Sequence, residues 1–453
     1  MMVDENERKQ KLHDECLAFF NSLPEAKFDF ATFQKHWNAI DRINLLPPDL
    51  TMILTNAINA LDHLEKSTND KEKKRELRKN CLSEMMFRFS CWEKPAAKQV
   101  DSFRPHDLAI CLRNHRILAI NPHDKFLRGW YKKANPSSVL KGSDYETRII
   151  RSLTSFAVAN LKPTEEYKKE WTPKAIRSAP YFRPGQLAFA LWAHAKLAEE
   201  PDAEFFKEWK KRYDYLITEY PDHFRQRDLA NIIGSSATLH AITGKTIYKE
   251  IAEAAKNEVK FDDCDLPQMR QLWFSHLWFD WDYPASPPTL DDRESPTEIQ
   301  VKNIFAEHAY PTAEDGKTVR KLGHRPDNNH MINGQEVFLE FDGNTHFLFK
   351  IGETDGRRRH AGYTGRTLFM SALIKKFEKD AVILRMPAPV GRSLIEMPED
   401  RQGPIITDLM NDAVQMQPGA YHIRKATKAE KEKTDGHHLT IRPLKIADLD
   451  SLA

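Results

Sequence analysis

Two rhythms of apolar residues divide the chain. In the first hundred residues Leu50, Ile53, Leu54, Ala57, Ile58, Leu61 and Leu64 recur at helical spacing behind Pro47-Pro48, and Leu82, Met85, Met86, Phe89 and Trp92 form a second such stripe. Residues 1–100 are therefore expected to be helical, with the polar run Lys66–Lys79 as a solvated helix or connector. From Phe103 the helical stripes repeat. FRPHDLAICLRNHRILAINPHDKFLRGW (103–130) aligns without a gap on FRPGQLAFALWAHAKLAEEPDAEFFKEW (182–209), 79 residues later (182 − 103), and identical or similar residues coincide from Phe103/Phe182 through His115/His194 to Trp130/Trp209. A weaker copy between them carries Ile149, Leu153, Pro163, Tyr167 and Trp171, another follows with Phe224, Arg225, Leu229, Ala230, Ile233 and Ala237, and a fifth runs through Leu266–Trp281.

A period of about 40 residues, each with two helical stripes split by a proline-containing turn, predicts an α-solenoid of stacked helix pairs over residues 101–282. One pair cannot bury its apolar face alone; stacking gives a continuous core and a concave surface suited to an extended ligand. Polar positions of the first helices, Arg113, Asn114, Arg116, Lys196, Asn231 and Ser235, are candidates to line that surface or to be solvated outside it.

The pattern changes at Tyr283–Pro296, YPASPPTLDDRESP, which holds four of the chain's 26 prolines (Pro284, Pro287, Pro288 and Pro296) and predicts a semi-rigid linker over 283–296. A helix is expected over Pro296–His308, strands around Thr318–Leu322 and Val337–Phe341, a helix over Thr367–Lys379 and a strand at Ala381–Met386. This is a small α/β domain over 297–390, with 391–453 as a charged tail. VFLEFDGNTHF (337–347) carries the candidate chemistry. Glu340 and Asp342 share strand parity and so a face, and a carboxylate pair at a strand's end is costly to bury unless protons, cations or donors meet it. The plain alternative is an edge strand with a solvated acidic face.

Composition narrows the classes. No apolar run approaches the ~20 residues that cross a bilayer, and the charged start MMVDENERKQKLHDE is unlike a signal peptide, so no membrane association and a cytoplasmic location are expected. Five scattered cysteines with no C-x-x-C pair favour reduced thiols over disulfides or zinc. The formal charge of +2 excludes a globally basic nucleic-acid binder but not a local basic surface. The loop ETDGRRRHAGYTGR (353–366) concentrates Arg357, Arg358, Arg359, His360 and Arg366 near Tyr363, and Lys375 follows on the next helix. Arginines pair with phosphate and stack on bases, and tyrosine offers a stacking face. The run Arg424–Lys433 reads as solvated surface.

The F-R-P-x-x-L-A-x-x-L stretch at Phe182–Leu191, followed by LWAHAKL, resembles octotricopeptide-type repeats and the helical region of FAST-kinase-domain proteins, a resemblance that implies RNA binding by stacked helices. EFDGNTHF (340–347), YTGRTLFMSALIKKF (363–377) and VILRMP (382–387) together resemble a RAP domain over about 295–390. The helix departs from that pattern at Met370, and no Trp follows VILRMP. RAP domains follow helical RNA-binding repeats, and they are similar to the PD-(D/E)XK nuclease fold. The resemblance implies Asp327, Glu340 and Asp342 as ligands of Mg²⁺ or Mn²⁺ and His346 as a proton carrier. Asp342 stands where the nuclease pattern has lysine, which leaves a metal-dependent endoribonuclease and a binding-only domain both open, with Lys350, Lys375 or Lys376 as substitutes for the missing cation. The expectation is an RNA-binding protein whose solenoid holds single-stranded RNA and whose RAP-like domain clamps, processes or cleaves it. The alternative is a protein-interaction scaffold with an inert last domain. The oligomeric state is left open.

Overall fold

The computed structural model describes residues 145–283, 288, 296–308, 327–332, 334–342, 346–351, 358–426 and 439–444. The expected helices of residues 1–100, the first repeat copy, the piece around Thr318–Leu322 and Arg357 lie outside them. The described chain is mostly helical with a small mixed sheet toward its C-terminus. Among the described residues no helix is long and apolar enough to cross a membrane. The chain divides into two compact units, residues 1–171 with 350–359 and residues 172–349 with 360–453.

The helical part comprises α1 (Tyr145–Ala159), α2 (Glu165–Ser178), α3 (Pro184–Lys196), α4 (Ala203–Glu219), α5 (Gln226–Thr243), α6 (Ile247–Lys256) and α7 (Leu266–Phe279). The sequence period reappears as hydrogen bonds. The Trp171 indole N–H donates to the Ile149 carbonyl at 3.0 Å, and Trp209, one helix pair later, donates to the Leu187 carbonyl at 3.1 Å. Each tryptophan thus fixes the second helix of a pair to the first turns of the one before it, and each is buried. The starts also recur: the backbone N–H of Arg183, Arg225 and Asp265 donates to the side chain three residues on, Gln186, Asp228 and Gln268, satisfying a donor that helix geometry leaves open. Gly244, at φ 74°, ends α5 in the left-handed conformation that glycine adopts without steric cost. Ser235, expected among surface candidates, is buried within α5, because α5 packs against α3, α6 and α7 and keeps little free surface.

Beyond α8 (Pro296–Glu307) lie β1 (Asn328–Ile332), β2 (Gln335–Asp342), β3 (Phe347–Ile351), β4 (Arg358–Tyr363), α9 (Gly365–Phe377), β5 (Val382–Pro387), α10 (Ala388–Ile395), α11 (Glu399–Val414), β6 (Gly419–Lys425) and β7 (Leu439–Pro443). A five-stranded sheet has the order β1-β2-β5-β6-β7, and β3 and β4 form a separate two-stranded sheet. The strands β2, β5 and β6 run parallel, with antiparallel edges β1 and β7. Strand parity sorts the two faces. Val337, Leu339, Val382, Leu384, Met386 and Ile423 point to one side and bury against α8, α10 and α11. Parallel strands need such cover on both sides, and α9 supplies it on the other.

This corrects the boundary expected at residue 390. Residues 391–444 are not a charged tail: α11 buries Ile405, Ile406, Leu409, Met410 and Ala413 in the core, and β6 pairs in register with β5. The charged run expected to be surface begins inside β6, at Arg424 and Lys425. The linker expected at 283–296 does not separate two freely moving bodies either, since α9 packs on α5 and α3 within one compact unit. Gly365 lies so close to α3 that a Cβ there would fall 1.7 Å from the Ala195 carbonyl oxygen, which demands glycine. At the far end of α9, Lys376 Nζ donates to the Leu277 and Trp278 carbonyls at 3.1 and 2.6 Å and pairs with Asp280 at 2.7 Å, satisfying the open carbonyls at the end of α7. Trp278 meets Phe369 of α9 edge-on at 5.8 Å.

Candidate functional site

The α9 face of the sheet is apolar at one end and charged at the other. Phe338 and Ile383 are buried in its apolar half. One step further along the strands, Glu340, Arg385, His422 and Arg442 stand side by side on β2, β5, β6 and β7, each directly opposite the next in register. Asp342 extends the acidic side of this row at the carboxyl end of β2, the end of parallel strands at which α/β sheets place ligands.

Arg385 organises the row. Its guanidinium is buried, donates through Nη1 to Asp342 Oδ1 at 2.5 Å and through Nε to Ser371 Oγ of α9 at 2.7 Å, and lies 3.9 Å from Glu340 Oε2. Burial works against its charge, but Asp342 and Glu340 more than offset that and hold its pKa above the ordinary arginine value. Asp342 is pushed up to about 7, because burial and the Glu340 charge outweigh the pull of Arg385. Its second oxygen, Oδ2, is buried without a hydrogen bond. His346 Nδ1 lies 3.1 Å from Asp342 Oδ1 and 3.2 Å from Thr367 Oγ1, and burial with the Arg385 charge pushes the imidazole down to about 3. At neutral pH the imidazole is therefore uncharged. Asp327 precedes β1, and its carboxylate accepts the Phe341 backbone N–H at 2.6 Å.

These contacts decide how the expected site residues are placed. Asp327, Glu340, Asp342 and His346 do converge on the end of β2. The donor set does not fit the divalent cation that Asp327, Glu340 and Asp342 were expected to hold. A guanidinium already sits between Glu340 and Asp342, Asp342 holds its proton up to about pH 7, and Asp327 is committed to backbone. Among the described residues no group of three His, Cys, Asp or Glu side chains is placed to hold a metal. The cation missing at Asp342 is supplied by Arg385 from the neighbouring strand, and not by Lys375 or Lys376. Lys376 is taken up at the end of α7, and the Lys350 side chain lies outside the described residues.

The basic cluster is only partly brought together. Arg358 and Arg359 lie on β4 with side chains outside the described set, as does all of Arg357. Tyr363, expected to offer a stacking face, is buried against Phe347 at 4.8 Å, since it ends β4 beneath α9. Its hydroxyl has no partner. Arg366 stands exposed in the first turn of α9, while Lys375 lies nine residues later, roughly 14 Å along the helix.

Residues outside the expected set complete the site: Arg385, Ser371, Thr367 and His422. Arg385 carried a signal, since a lone arginine inside the apolar run AVILRMP needs a buried partner, and the acidic strand is the nearest source. Ser371 and His422 carried none that sequence spacing reveals.

Compared with known families and with curated proteins, the chain matches no family model and no curated sequence. Function must be argued from the site and surface.

Proposed function

We propose that the protein binds single-stranded RNA along stacked helical repeats and that a RAP-like α/β domain grips the strand without hydrolysing it. The observation that carries the reading is a run of solvent-facing rings at the end of α4. Arg212 lies 5.4 Å above the ring of Tyr215, Tyr215 is 5.7 Å from Tyr220, and Tyr220 stacks on His223 at 5.2 Å and 17°. Tyr215 and Tyr220 are 47% and 43% exposed, well above what a core role requires. Asp222, the acid within this run, is answered by Lys260 at 3.9 Å. Rings interleaved with cations form a sequence-tolerant platform for unstacked bases, each stacked base contributing about 1–3 kcal/mol. The recurring tryptophan hydrogen bonds support the repeat architecture, and the guanidinium between the carboxylates favours holding over cutting.

The test is equilibrium binding of a fluorescent single-stranded RNA over a salt series, with duplex RNA of the same sequence as comparison. The single strand should bind more tightly, with affinity falling as salt rises, and Tyr220→Ala should weaken it about tenfold while sparing the fold. Absence of RNA binding at low salt would reject the reading in favour of the protein-interaction scaffold.

A further inference from the structure

We propose that the cleft where the first turn of α9 meets the end of α3 and the start of α7 is a phosphate-binding site, with Arg366, Arg270 and Lys196 as its cations and an RNA backbone phosphodiester as its ligand. The proposal rests on the RNA reading but on different residues from the stacked rings.

Backbone proximity defines the place. Gly365 lies against the Ala195 carbonyl and the Thr238 methyl, so Arg366 and Lys196, the next residues in each helix, flank the same contact. The charges agree with that placement. His346 feels both Arg366 and Lys196, and Arg366 in turn feels Arg270 of α7. Three helices thus direct one sign of charge to one place, and no carboxylate is among the charges acting on Arg366.

Arg366 is exposed, yet burial is the largest influence on its charge and pushes its pKa down. His346 behaves alike, with a side chain 41% accessible and an imidazolium strongly disfavoured by burial. A side chain that solvent reaches while protein surrounds it lines a concavity, not a convex surface. Among the described residues Arg366 makes no hydrogen bond or ion pair. A desolvated guanidinium facing other cations is unfavourable without an anion, and a phosphate oxygen pair matches its fork of donors. The Thr364 side chain turns to Thr367 at 3.0 Å and caps no amide, so the first-turn N–H groups of α9 add to the same potential.

The experiment uses the full chain, the same single-stranded RNA and the variants Arg366→Gln and Arg366→Gln/Arg270→Gln, with Lys379→Gln at the far end of α9 as control and thermal melting as the check on folding. Arg366→Gln should weaken binding about tenfold and lower the slope of log affinity against log salt by about 0.7, the value for one lost phosphate contact on a single strand. The double variant should lose more, and Lys379→Gln neither. Wild-type binding with an unchanged slope in Arg366→Gln would overturn the cleft while leaving the RNA reading intact. Should the wild type bind no RNA, thermal shift with pyrophosphate decides. Stabilisation of the wild type but not of Arg366→Gln would keep the phosphate site with a free phosphate compound as ligand, and no stabilisation would overturn it.

Discussion

Replacing Arg385 by methionine keeps most of the side-chain volume and removes the one cation between Glu340 and Asp342. Breaking a buried pair by deleting one partner costs about 3–5 kcal/mol, because the remaining charge is left uncompensated. Here the cost depends on pH in a direction fixed by Asp342. Its carboxyl holds a proton up to about pH 7 in the folded protein, so below that pH Arg385 faces a neutral partner and its loss removes hydrogen bonds to Asp342 and Ser371. Above pH 7 the wild-type carboxylate ionises against the guanidinium, whereas in Arg385→Met burial keeps it protonated. The stability gap between wild type and variant should then widen by about 1.4 kcal/mol per pH unit above 7 and reach the full 3–5 kcal/mol near pH 8. Urea unfolding at pH 5, 6, 7 and 8 followed by circular dichroism measures this, and Asp342→Asn/Arg385→Met should remove the pH dependence. A gap that is constant from pH 5 to 8 would refute the assignment of Arg385 as the counter-charge of Asp342.

Gly365→Ala places a methyl group against the Ala195 carbonyl and forces α9 off α3, which should cost at least 1–3 kcal/mol in thermal or urea unfolding; a neutral result would show that this contact is looser than described. His240 accepts the Trp278 indole N–H at 3.1 Å, and burial, with Lys249 and Lys376 nearby, pushes its pKa down to about 4. The unfolded chain takes up this proton near pH 6.5 and the folded chain only near pH 4, so stability should fall as pH drops through that window, by about 3 kcal/mol in all. His240→Gln should flatten the fall, and identical pH profiles for the two proteins would exclude the effect.

The sequence made some of this readable and hid the rest for physical reasons. The helical repeats were visible because stacking imposes one spacing on Leu187, Trp209 and their counterparts, and that spacing survives weak identity. The shared face of Glu340 and Asp342 followed from strand parity alone. The error at residue 390 arose because β6 (GAYHIRK) mixes a buried face with a row that is polar by design of the site, so its alternation does not look like a core strand. What occupies the space between Glu340 and Asp342 depends on which strand lies beside β2, and that is a matter of sheet order, set by crossovers through α9 and α10 that local pattern does not encode. The need for glycine at 365 is likewise invisible until α3 is seen against it.

The helix α9 serves two masters, covering the charged face of the sheet on one side and lying on α3, α5 and α7 on the other. The two segments on either side of the proline-rich stretch therefore do not behave as interchangeable cassettes. Cutting the chain there would strip Trp278 and Phe369 of their partner and uncover backbone carbonyls that Lys376 now satisfies, so each piece would carry a raw apolar edge into solution. A lineage that exchanged its α/β segment for another would have to remake that edge at the same time, and substitutions on α9 and on α7 are expected to be inherited together.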